Sequence, residues 1–333
     1  MKAVSYRSGR DHEFQNPLID IEKEIPTLKA RDLLVKIHAI SVNPVDTKVR
    51  QGKVIEDNTR VLGWDAVGEV IQVGSNVQYF KTGDQVWYAG DLTRDGSNAE
   101  FQAVDERIVS LKPQSISHAE SAAFPLTAIT AWEMLFDRLN IDIDSSDTIL
   151  IIGGAGGVGS IAIQLVKART QLKVIATASR EETKSWVIAL GADYVIDHSK
   201  DLNEQIEQLG LAAPRYVFST NHTSSYLQQI TQLIAPEGKL GLIDDPSSFD
   251  IVGLKLKAVS VHWEFMFTRS MFTTRDIEKQ KILLEEVAKL IDSKRLKTTL
   301  NLHLGKINAE HLNQAHRLIE TGQVKGKIVL EGF

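Results

Sequence analysis

The sequence predicts an α/β protein in which a β-rich domain is interrupted by a domain built on a doubly wound parallel sheet. The first 110 residues read as short strands between turns, and from about residue 117 apolar strands alternate with helical segments. The closing segments after residue 258 are too few to form a domain of their own. We therefore predict one domain from residues 1–122 together with 268–333, and an inserted domain over residues 123–267.

The composition narrows the classes of function. The chain has 333 residues, a formal net charge of −5 and no cysteine. Without cysteine it cannot form a disulfide framework, a zinc ribbon, an iron–sulfur cluster or a thiol nucleophile. The sequence has no basic block and no apolar run of the length that a leader or a membrane span needs. We therefore expect a cytoplasmic protein that binds neither nucleic acid nor membranes.

Residue type and periodicity place the individual elements. In the β-rich part, β-branched and aromatic residues between turn-forming residues predict strands at 33–37, 66–73 and 84–88, and helices follow at 118–124 and 130–139. In the inserted domain, the predicted strands are 148–152, 173–177, 194–196, 216–219 and 239–243, and the helices are 160–168, 182–190, 201–209 and 225–234. Residues 258–264 predict an edge strand, followed by helices at 274–292 and 309–320 and strands at 300–304 and 327–330.

The strongest motif is a glycine cluster that directly follows the apolar strand at 148–152. Gly154, Gly156 and Gly159 fit the pattern G-x-G-x-x-G, which permits a tight turn, close approach of a pyrophosphate and close packing of helix on strand. The helix that follows offers free N–H groups and a positive dipole end to an anion. The sequence therefore predicts a dinucleotide-binding turn formed by Gly154, Ala155, Gly156, Gly157, Val158 and Gly159.

The choice of cofactor depends on the end of the second strand, where an acidic residue accepts from the ribose hydroxyls of NAD. This sequence has Ser179 and Arg180 at that place, and Lys184 one helical turn later. A guanidinium suits a 2′-phosphate, so we predict NADP(H). The alternative is an exposed helix start in which Glu181 and Glu182 favour the helix dipole.

Several motifs occur together with the glycine cluster in one order along the chain: SVNPVDTK from Ser41, GWDAVGEV from Gly63, HWEFMFTR from His262 and GKIVL from Gly326. With these motifs the chain resembles the medium-chain dehydrogenase/reductase superfamily, and more narrowly its zinc-lacking quinone oxidoreductase branch. Within that branch, it resembles the bacterial group labelled zinc-type alcohol dehydrogenase-like proteins. The resemblance covers essentially the whole chain. It implies a GroES-like catalytic domain, a Rossmann-type domain, an active-site cleft between them and a dimer.

The residues of this chain conflict with the word zinc in the label of that group. In zinc-dependent relatives the catalytic metal is held by two Cys and one His, and the matching positions here are Asn43, Trp64 and Leu126. None of these side chains replaces a thiolate or an imidazole. Without a Lewis acid, the reaction favours acceptors that are already electrophilic, which are quinones and conjugated enones or enals.

For this chemistry the resemblance implies roles for named residues. Asn43 could donate its amide to a substrate oxygen, and Lys48 is the second candidate donor, although relatives often carry Tyr at its position. Asp46 and Asp65 are expected to be structural acceptors of backbone N–H groups. An apolar pocket for a planar substrate is expected from the four residues Trp64, Leu126, Phe265 and Phe267, with core packing as the equally weighted alternative.

Further cofactor contacts come from the same resemblance. Thr127 and Thr130 match a stretch that borders the nicotinamide in relatives, although Thr130 could instead cap a helix. His198 takes a place near the 2′-phosphate, or it is a plain turn residue. Asn221 follows a strand at the carboxyl side of the sheet, where ligands bind.

These observations favour an NADPH-dependent, zinc-independent reductase of quinones or activated alkenes. Two alternatives stay open, namely an alcohol dehydrogenase with a non-standard metal site and a non-catalytic NADPH-binding sensor or structural protein. The alternation of residues in the edge strand at 258–264 further predicts a homodimer that pairs through this strand.

Overall fold

The protein is described by a computed structural model over residues 1–6, 17–52 and 60–333. The chain forms two compact units. The first unit comprises Met1–Leu126, Phe267–Lys294 and Thr298–Phe333, and the second comprises Thr127–Met266 with Arg295–Lys297. From Phe267 onward, except for Arg295–Lys297, the chain therefore belongs to the same unit as its beginning. The domain boundaries given above from the sequence stay a prediction.

The strands alternate with turns in the first part of the chain and with helices in the second. In chain order they are β1 (Lys2–Tyr6), β2 (Ile19–Glu22), β3 (Asp32–Val42), β4 (Arg60–Val61), β5 (Ala66–Val73), β6 (Gln85–Tyr88), β7 (Phe101–Asp105), β8 (Ser110–Leu111), β9 (Thr148–Ile152), β10 (Lys173–Thr177), β11 (Tyr194–Ile196), β12 (Tyr216–Ser219), β13 (Lys239–Leu242), β14 (Ser260–Trp263), β15 (Leu300–His303) and β16 (Lys327–Glu331).

The helices are amphipathic or buried connections between these strands. In chain order they are α1 (Pro44–Arg50), α2 (His118–Ala122), α3 (Pro125–Trp132), α4 (Gly157–Arg169), α5 (Glu181–Ala189), α6 (Leu202–Gln208), α7 (Thr223–Leu233), α8 (Thr268–Met271), α9 (Lys279–Asp292) and α10 (Ala309–Glu320). A π-helical segment, Glu133–Arg138, continues α3. Within the described residues, no helix is both long and apolar enough to cross a bilayer.

The second unit is built on a six-stranded parallel sheet with the order β11-β10-β9-β12-β13-β14. Every residue of β9 is buried, as expected for a central strand covered by helices on both faces. The order reverses direction beside β9, because the chain first builds outward to β11 and then returns to β12. The carboxyl end of β9 is therefore the topological switch point, where ligands bind in such sheets.

The first unit is organised around the long strand β3. One edge of β3 pairs with β5, and the other pairs with β7 through its first half and with β16 through its second half. A separate sheet has the order β2-β1-β4. The register of β16 on β3 places Ile328 opposite Val42, so Lys327 arrives next to Asn43 at the end of β3. This long-range pairing brings the end of the chain to the loop that begins α1.

The α/β architecture predicted from the sequence is confirmed, and two predicted helices differ in detail. The helix expected at 274–292 begins at Lys279, because the Thr274 hydroxyl donates to Asp276 at 2.8 Å and holds the preceding residues in a turn. The helix expected at 130–139 begins at Pro125 and changes to π-helical bonding at Glu133, where the N–H of Leu139 donates to the Met134 carbonyl at 2.8 Å.

Candidate cofactor and active site

The glycine cluster forms a tight connection between β9 and α4. The positive φ of +79° lies at Gly153, one residue before the first glycine of the motif, and an added Cβ there would lie 2.2 Å from the Thr220 hydroxyl. Gly154 permits close approach of β10, because its Cβ would lie 2.9 Å from that of Ala176. Gly159 lets α4 pack on the turn, because its Cβ would lie 2.3 Å from the Gly153 carbonyl. The tight-turn role given to Gly154 above therefore belongs to Gly153.

Gly156 has a different environment from its neighbours. It is the N-cap of α4 with an extended backbone, and the nearest atom to an added Cβ is the Gly153 carbonyl oxygen at 3.4 Å. The first turn of α4, which begins with Gly157 and Val158, contains no acidic residue. Ala155 lies in the turn just before it. A glycine with one neighbouring atom at van der Waals distance, helix N–H groups and the positive end of the helix dipole thus occur together, which is the arrangement that fits a pyrophosphate.

The residues expected to select the cofactor follow β10 and β11, which are neighbours in the sheet. Arg180 is the N-cap of α5, is partly exposed, and lies 3.4 Å from Glu182. Ser179 precedes it, and Lys184 lies one turn into α5. The pKa of Asp197 is lowered mainly by hydrogen bonds from the Ser199 side chain and backbone, and the positive charge of Lys184 adds a smaller effect in the same direction. His198 follows Asp197, and its buried Nδ1 has no hydrogen-bond partner among the described residues.

The remaining predicted cofactor residues lie on β12 and α3. Asn221 is exposed after β12, and its side-chain oxygen lies 3.0 Å from the position of a Cβ on Gly153. Thr127 and Thr130 are both buried within α3. Because α3 begins at Pro125, Thr130 stands in its interior, and the alternative that Thr130 caps a helix start is wrong.

A buried polar cluster occupies the first unit where β3 ends. The Asp65 carboxylate, which is 0% exposed, accepts on Oδ2 from Ser41 Oγ at 2.6 Å, Asn43 Nδ2 at 2.8 Å and Lys327 Nζ at 3.1 Å. Its Oδ1 accepts from the backbone N–H of Leu126 at 2.7 Å. Asp65 is therefore the acceptor for one of the free N–H groups at the start of α3. This confirms the expectation that Asp65 has a structural role.

Lys327 is the member of this cluster that the sequence did not reveal. Lys327 is 3% exposed, and its ammonium donates to the Val42 carbonyl at 3.2 Å and to the Asn43 side-chain oxygen, besides Asp65. A buried ammonium needs both a counter-charge and acceptors for its three donors, and the cluster supplies them. The only signal in the sequence was the motif GKIVL, in which Lys327 begins a predicted strand.

The Asn43 amide, predicted to donate to a substrate oxygen, is 1% exposed. One hydrogen of Nδ2 goes to Asp65, and the Ser41 carbonyl lies 3.5 Å from the same nitrogen, which is too long for a strong bond. The second amide hydrogen is thus only weakly engaged. A substrate oxygen can reach it only after neighbouring atoms move. Lys48, the second candidate donor, is partly buried on α1.

Asp46 joins the same cluster from α1. Its Oδ2 accepts the backbone N–H of Asn43 at 2.6 Å, which confirms its predicted role as a backbone acceptor. Its Oδ1 is buried without a hydrogen bond from the described residues. Burial raises the pKa of Asp46 to about 7, although the Asn43 N–H and the Lys327 charge act in the opposite direction. Two carboxyl groups and one ammonium therefore share this buried region.

The four residues predicted to form an apolar pocket differ in burial. Trp64 is fully buried; its indole N–H donates to the Asp91 carbonyl at 3.3 Å, and its ring packs edge to face on Phe267 with centroids 6.1 Å apart. Both rings therefore belong to the core of the first unit. Leu126 is also buried, whereas Phe265, in the second unit, is 47% exposed. Core packing, the alternative stated above, describes Trp64 and Phe267 in this structure.

The donor atoms around the predicted active site do not fit a zinc ion. Asn43, Trp64 and Leu126 offer an amide, an indole and an alkyl group, and the amide oxygen already accepts from Lys327. Across the described stretches of the chain, no three His, Cys, Asp or Glu side chains are grouped closely enough to hold a metal. Zinc in proteins prefers thiolate, imidazole and carboxylate ligands. We therefore derive no reaction step through a metal.

Comparisons with known proteins agree with this architecture. The family model described as alcohol dehydrogenase GroES-like domain matches residues 29–114, and the model described as zinc-binding dehydrogenase matches residues 190–330. A zinc-type alcohol dehydrogenase-like protein of Staphylococcus aureus is 42% identical over 335 residues, which cover 99% of each chain.

Two solved structures are similar over the whole chain. A protein from Rhizobium etli named as a zinc-dependent alcohol dehydrogenase is 52% identical, with a TM-score of 0.96, 100% of this chain covered and 98% of that chain. The quinone oxidoreductase from Coxiella burnetii is 25% identical, with a TM-score of 0.80, 100% of this chain covered and 99% of that chain.

The raised pKa of Asp46 predicts a specific pH dependence of stability. Between pH 3.8 and about 7, Asp46 is mainly protonated in the folded chain and mainly ionised in the unfolded chain. Because the unfolded chain binds fewer protons in this window, the contribution of Asp46 to the free energy of unfolding falls as the pH rises. Asp46→Asn mimics the neutral acid and removes the effect. When the pH is raised from 5.5 to 7.5, we expect the free energy of unfolding of the variant to increase by about 2 kcal/mol relative to that of the wild type. Urea unfolding at the two pH values measures this difference. Asp250→Asn, a change at an exposed residue, is the control. Parallel pH profiles for wild type and Asp46→Asn would contradict the prediction.

Proposed function

The chain belongs to the zinc-type alcohol dehydrogenase-like proteins of the medium-chain dehydrogenase/reductase superfamily, and on that premise we propose that it reduces quinones or activated alkenes with NADPH and without a metal. The chain is an oxidoreductase by its family. The acceptor class, the preference for NADPH and the roles of individual residues are our proposal. The observation that carries it is the donor set of the buried cluster, which offers an amide, an ammonium and carboxylates already bonded to one another.

The cofactor fits the second unit by the geometry of the glycine turn. The absence of a side chain at Gly156 and the N–H groups of α4 are suited to the pyrophosphate, and Asn221 lies beside the same turn. We propose that Ser179, Arg180, Lys184 and His198 hold the 2′-phosphate, because cationic and donor groups are what a dianion needs. Thr127 and Thr130 are proposed to border the nicotinamide. When bound, NADPH supplies a hydride from C4 of its nicotinamide.

We propose that the acceptor is electrophilic before it binds, because the side chains described around Asn43 do not fit a zinc ion that could activate an alcohol or a simple carbonyl. In a quinone or conjugated enone, the added hydride leaves negative charge on an oxygen atom. We propose that Asn43 and Lys48 donate hydrogen bonds to that oxygen, and that solvent then supplies the proton. Preorganised donors of this kind stabilise the transition state without having to reorient. The quinone oxidoreductase from Coxiella burnetii supports this acceptor class by its name and its likeness.

We also propose a homodimer that pairs through β14. This strand is the edge of the six-stranded sheet, and its Trp263 side chain is 51% exposed. The segment before it carries Val252 and Leu256, of which Leu256 is 95% exposed. An unpaired edge strand beside exposed apolar side chains favours association with a second copy.

The proposed dimer predicts a change in oligomeric state on substitution. Val252→Lys combined with Leu256→Lys places two charges beside the edge strand and should shift sedimentation equilibrium from twice the chain mass toward the monomer. Ile282→Lys, at an exposed apolar residue of α9 in the first unit, should leave the dimer intact. A wild-type protein that sediments only as a monomer would refute the proposal.

The glycine turn predicts opposite behaviour for two alanine variants. Gly156→Ala adds a methyl group whose nearest neighbour, the Gly153 carbonyl oxygen, lies at a van der Waals distance of 3.4 Å, so it should fold normally and weaken NADPH binding by at least about tenfold, because the methyl lies where the pyrophosphate approaches. Gly159→Ala forces its Cβ to 2.3 Å from the Gly153 carbonyl and should destabilise the fold by about 1–3 kcal/mol. Fluorescence titration and thermal unfolding separate the two effects. Unchanged NADPH affinity in Gly156→Ala would argue against this phosphate site.

The proposed activity is tested by NADPH consumption after treatment of the protein with a strong chelator. We expect oxidation of NADPH on addition of a planar ortho-quinone or a conjugated enone, and much slower oxidation of NADH. Arg180→Ala should raise the KM for NADPH by about tenfold, through loss of a charge-assisted bond to the phosphate, and leave the KM for NADH unchanged. Activity that disappears with the chelator and returns with zinc would contradict the metal-free mechanism.

A further inference from the structure

The buried ion pair between Lys327 and Asp65 encloses the Asn43 amide from two sides. Lys327 donates to the amide oxygen, and Asp65 accepts from the amide nitrogen at 2.8 Å. An ammonium has only donors and a carboxylate only acceptors. Turning the amide over would set its NH2 group against the ammonium and its oxygen against the carboxylate. The ion pair therefore fixes the orientation of the amide, and with it the direction in which the weakly engaged N–H points.

The ion pair also changes the strength of that hydrogen as a donor. A charge-assisted bond to the amide oxygen polarises the whole amide group, and hydrogen bonds in such a chain strengthen one another in a low-dielectric interior. All of these groups are buried. Without the ammonium, the amide oxygen loses its donor and the two amide orientations come closer in energy.

We propose that Lys327 is a positioning residue that keeps Asn43 in the orientation in which its nitrogen, and not its oxygen, is presented to the acceptor. This inference rests on the proposed function, because it assumes that Asn43 donates to the acceptor oxygen. Lys327 itself touches neither acceptor nor cofactor in this account. It acts through Asn43, and its effect should therefore depend on the presence of the amide.

A double-mutant cycle tests this dependence. Asn43→Ala should lower kcat by about 100-fold, the usual loss for one oxyanion donor. Lys327→Met should lower kcat by at least about tenfold in the wild-type background, and by less than about twofold in the Asn43→Ala background, because no amide is left to orient. The affinity for NADPH should stay unchanged in all three variants. Equal losses from Lys327→Met in both backgrounds would overturn the proposal.

A matched control separates positioning from loss of stability. Asp32→Asn breaks another ion pair of the first unit, in which Arg94 donates to both Asp32 oxygens at 2.7 and 2.9 Å. This variant should lower the midpoint of urea unfolding and leave kcat per folded molecule unchanged. If Lys327→Met does not fold, Lys327→Gln keeps a donor without the charge, and the same cycle is run with it. The separate variant Lys327→Arg, which keeps the positive charge and the hydrogen-bond donors, should have a kcat within about threefold of that of the wild type.

A second readout needs no turnover. Bound 4-nitrophenol reports by its visible absorption how far the site favours an anionic oxygen over the neutral hydroxyl. At a fixed pH we expect a larger ionised fraction on the wild type than on Lys327→Met, and no difference between Asn43→Ala and the double variant. If NADPH is not oxidised with any acceptor but this pattern appears, the proposed function fails and the positioning role stands. If the ionised fraction is the same on wild type and Lys327→Met, the positioning role fails.

Discussion

The first unit depends on one buried carboxylate. Asp65 accepts hydrogen bonds from Ser41 and Asn43 at the end of β3, from Lys327 at the start of β16, and from the backbone of Leu126 at the start of α3. A buried charge is tolerated only where a counter-charge and hydrogen bonds replace its hydration. Four segments that are distant in sequence must therefore meet at this point, and the pairing of β16 with β3 is what makes that possible.

The parts of the fold that follow from local pattern were predictable, and those that follow from distant pairing were not. The strands β9, β10, β11 and β12 lie where the sequence predicted them, because short apolar runs between glycine and helical segments have few other solutions. Lys327 is 284 residues from its partner Asn43, and a lysine at the start of a strand usually stays in water. No periodicity marks such a residue as buried. The aromatic residues were ambiguous for the same reason, since Trp64 suits a core and a pocket equally well until its neighbours are known.

The roles of the individual glycines in the turn between β9 and α4 could not be predicted from the sequence. The motif G-x-G-x-x-G begins at Gly154, but the residue with positive φ is Gly153, which precedes the motif in a glycine-rich run that Ala155 and Val158 interrupt. In such a run each glycine is compatible with each role. Only the distances from an added Cβ distinguish the glycine that turns the chain from those that let a strand, a helix or a ligand approach.

The net charge of the buried cluster bears on the class of acceptor that the protein can reduce. Asp46, Asp65 and Lys327 would carry a net charge of −1 if all three were ionised, and a net charge is costly in a region that water does not reach. The hydrogen bonds of Lys327 go to the Val42 carbonyl, Asn43 and Asp65, so Asp46, whose pKa burial raises to about 7, is the carboxyl that gains most by being protonated. With Asp46 protonated, the cluster is neutral as a whole, and its one cation is balanced by Asp65. Such a site has little spare positive charge with which to activate a poor electrophile. This charge balance supports the proposal that the acceptor is one with its own delocalising system, such as a quinone or an enone, and not an alcohol.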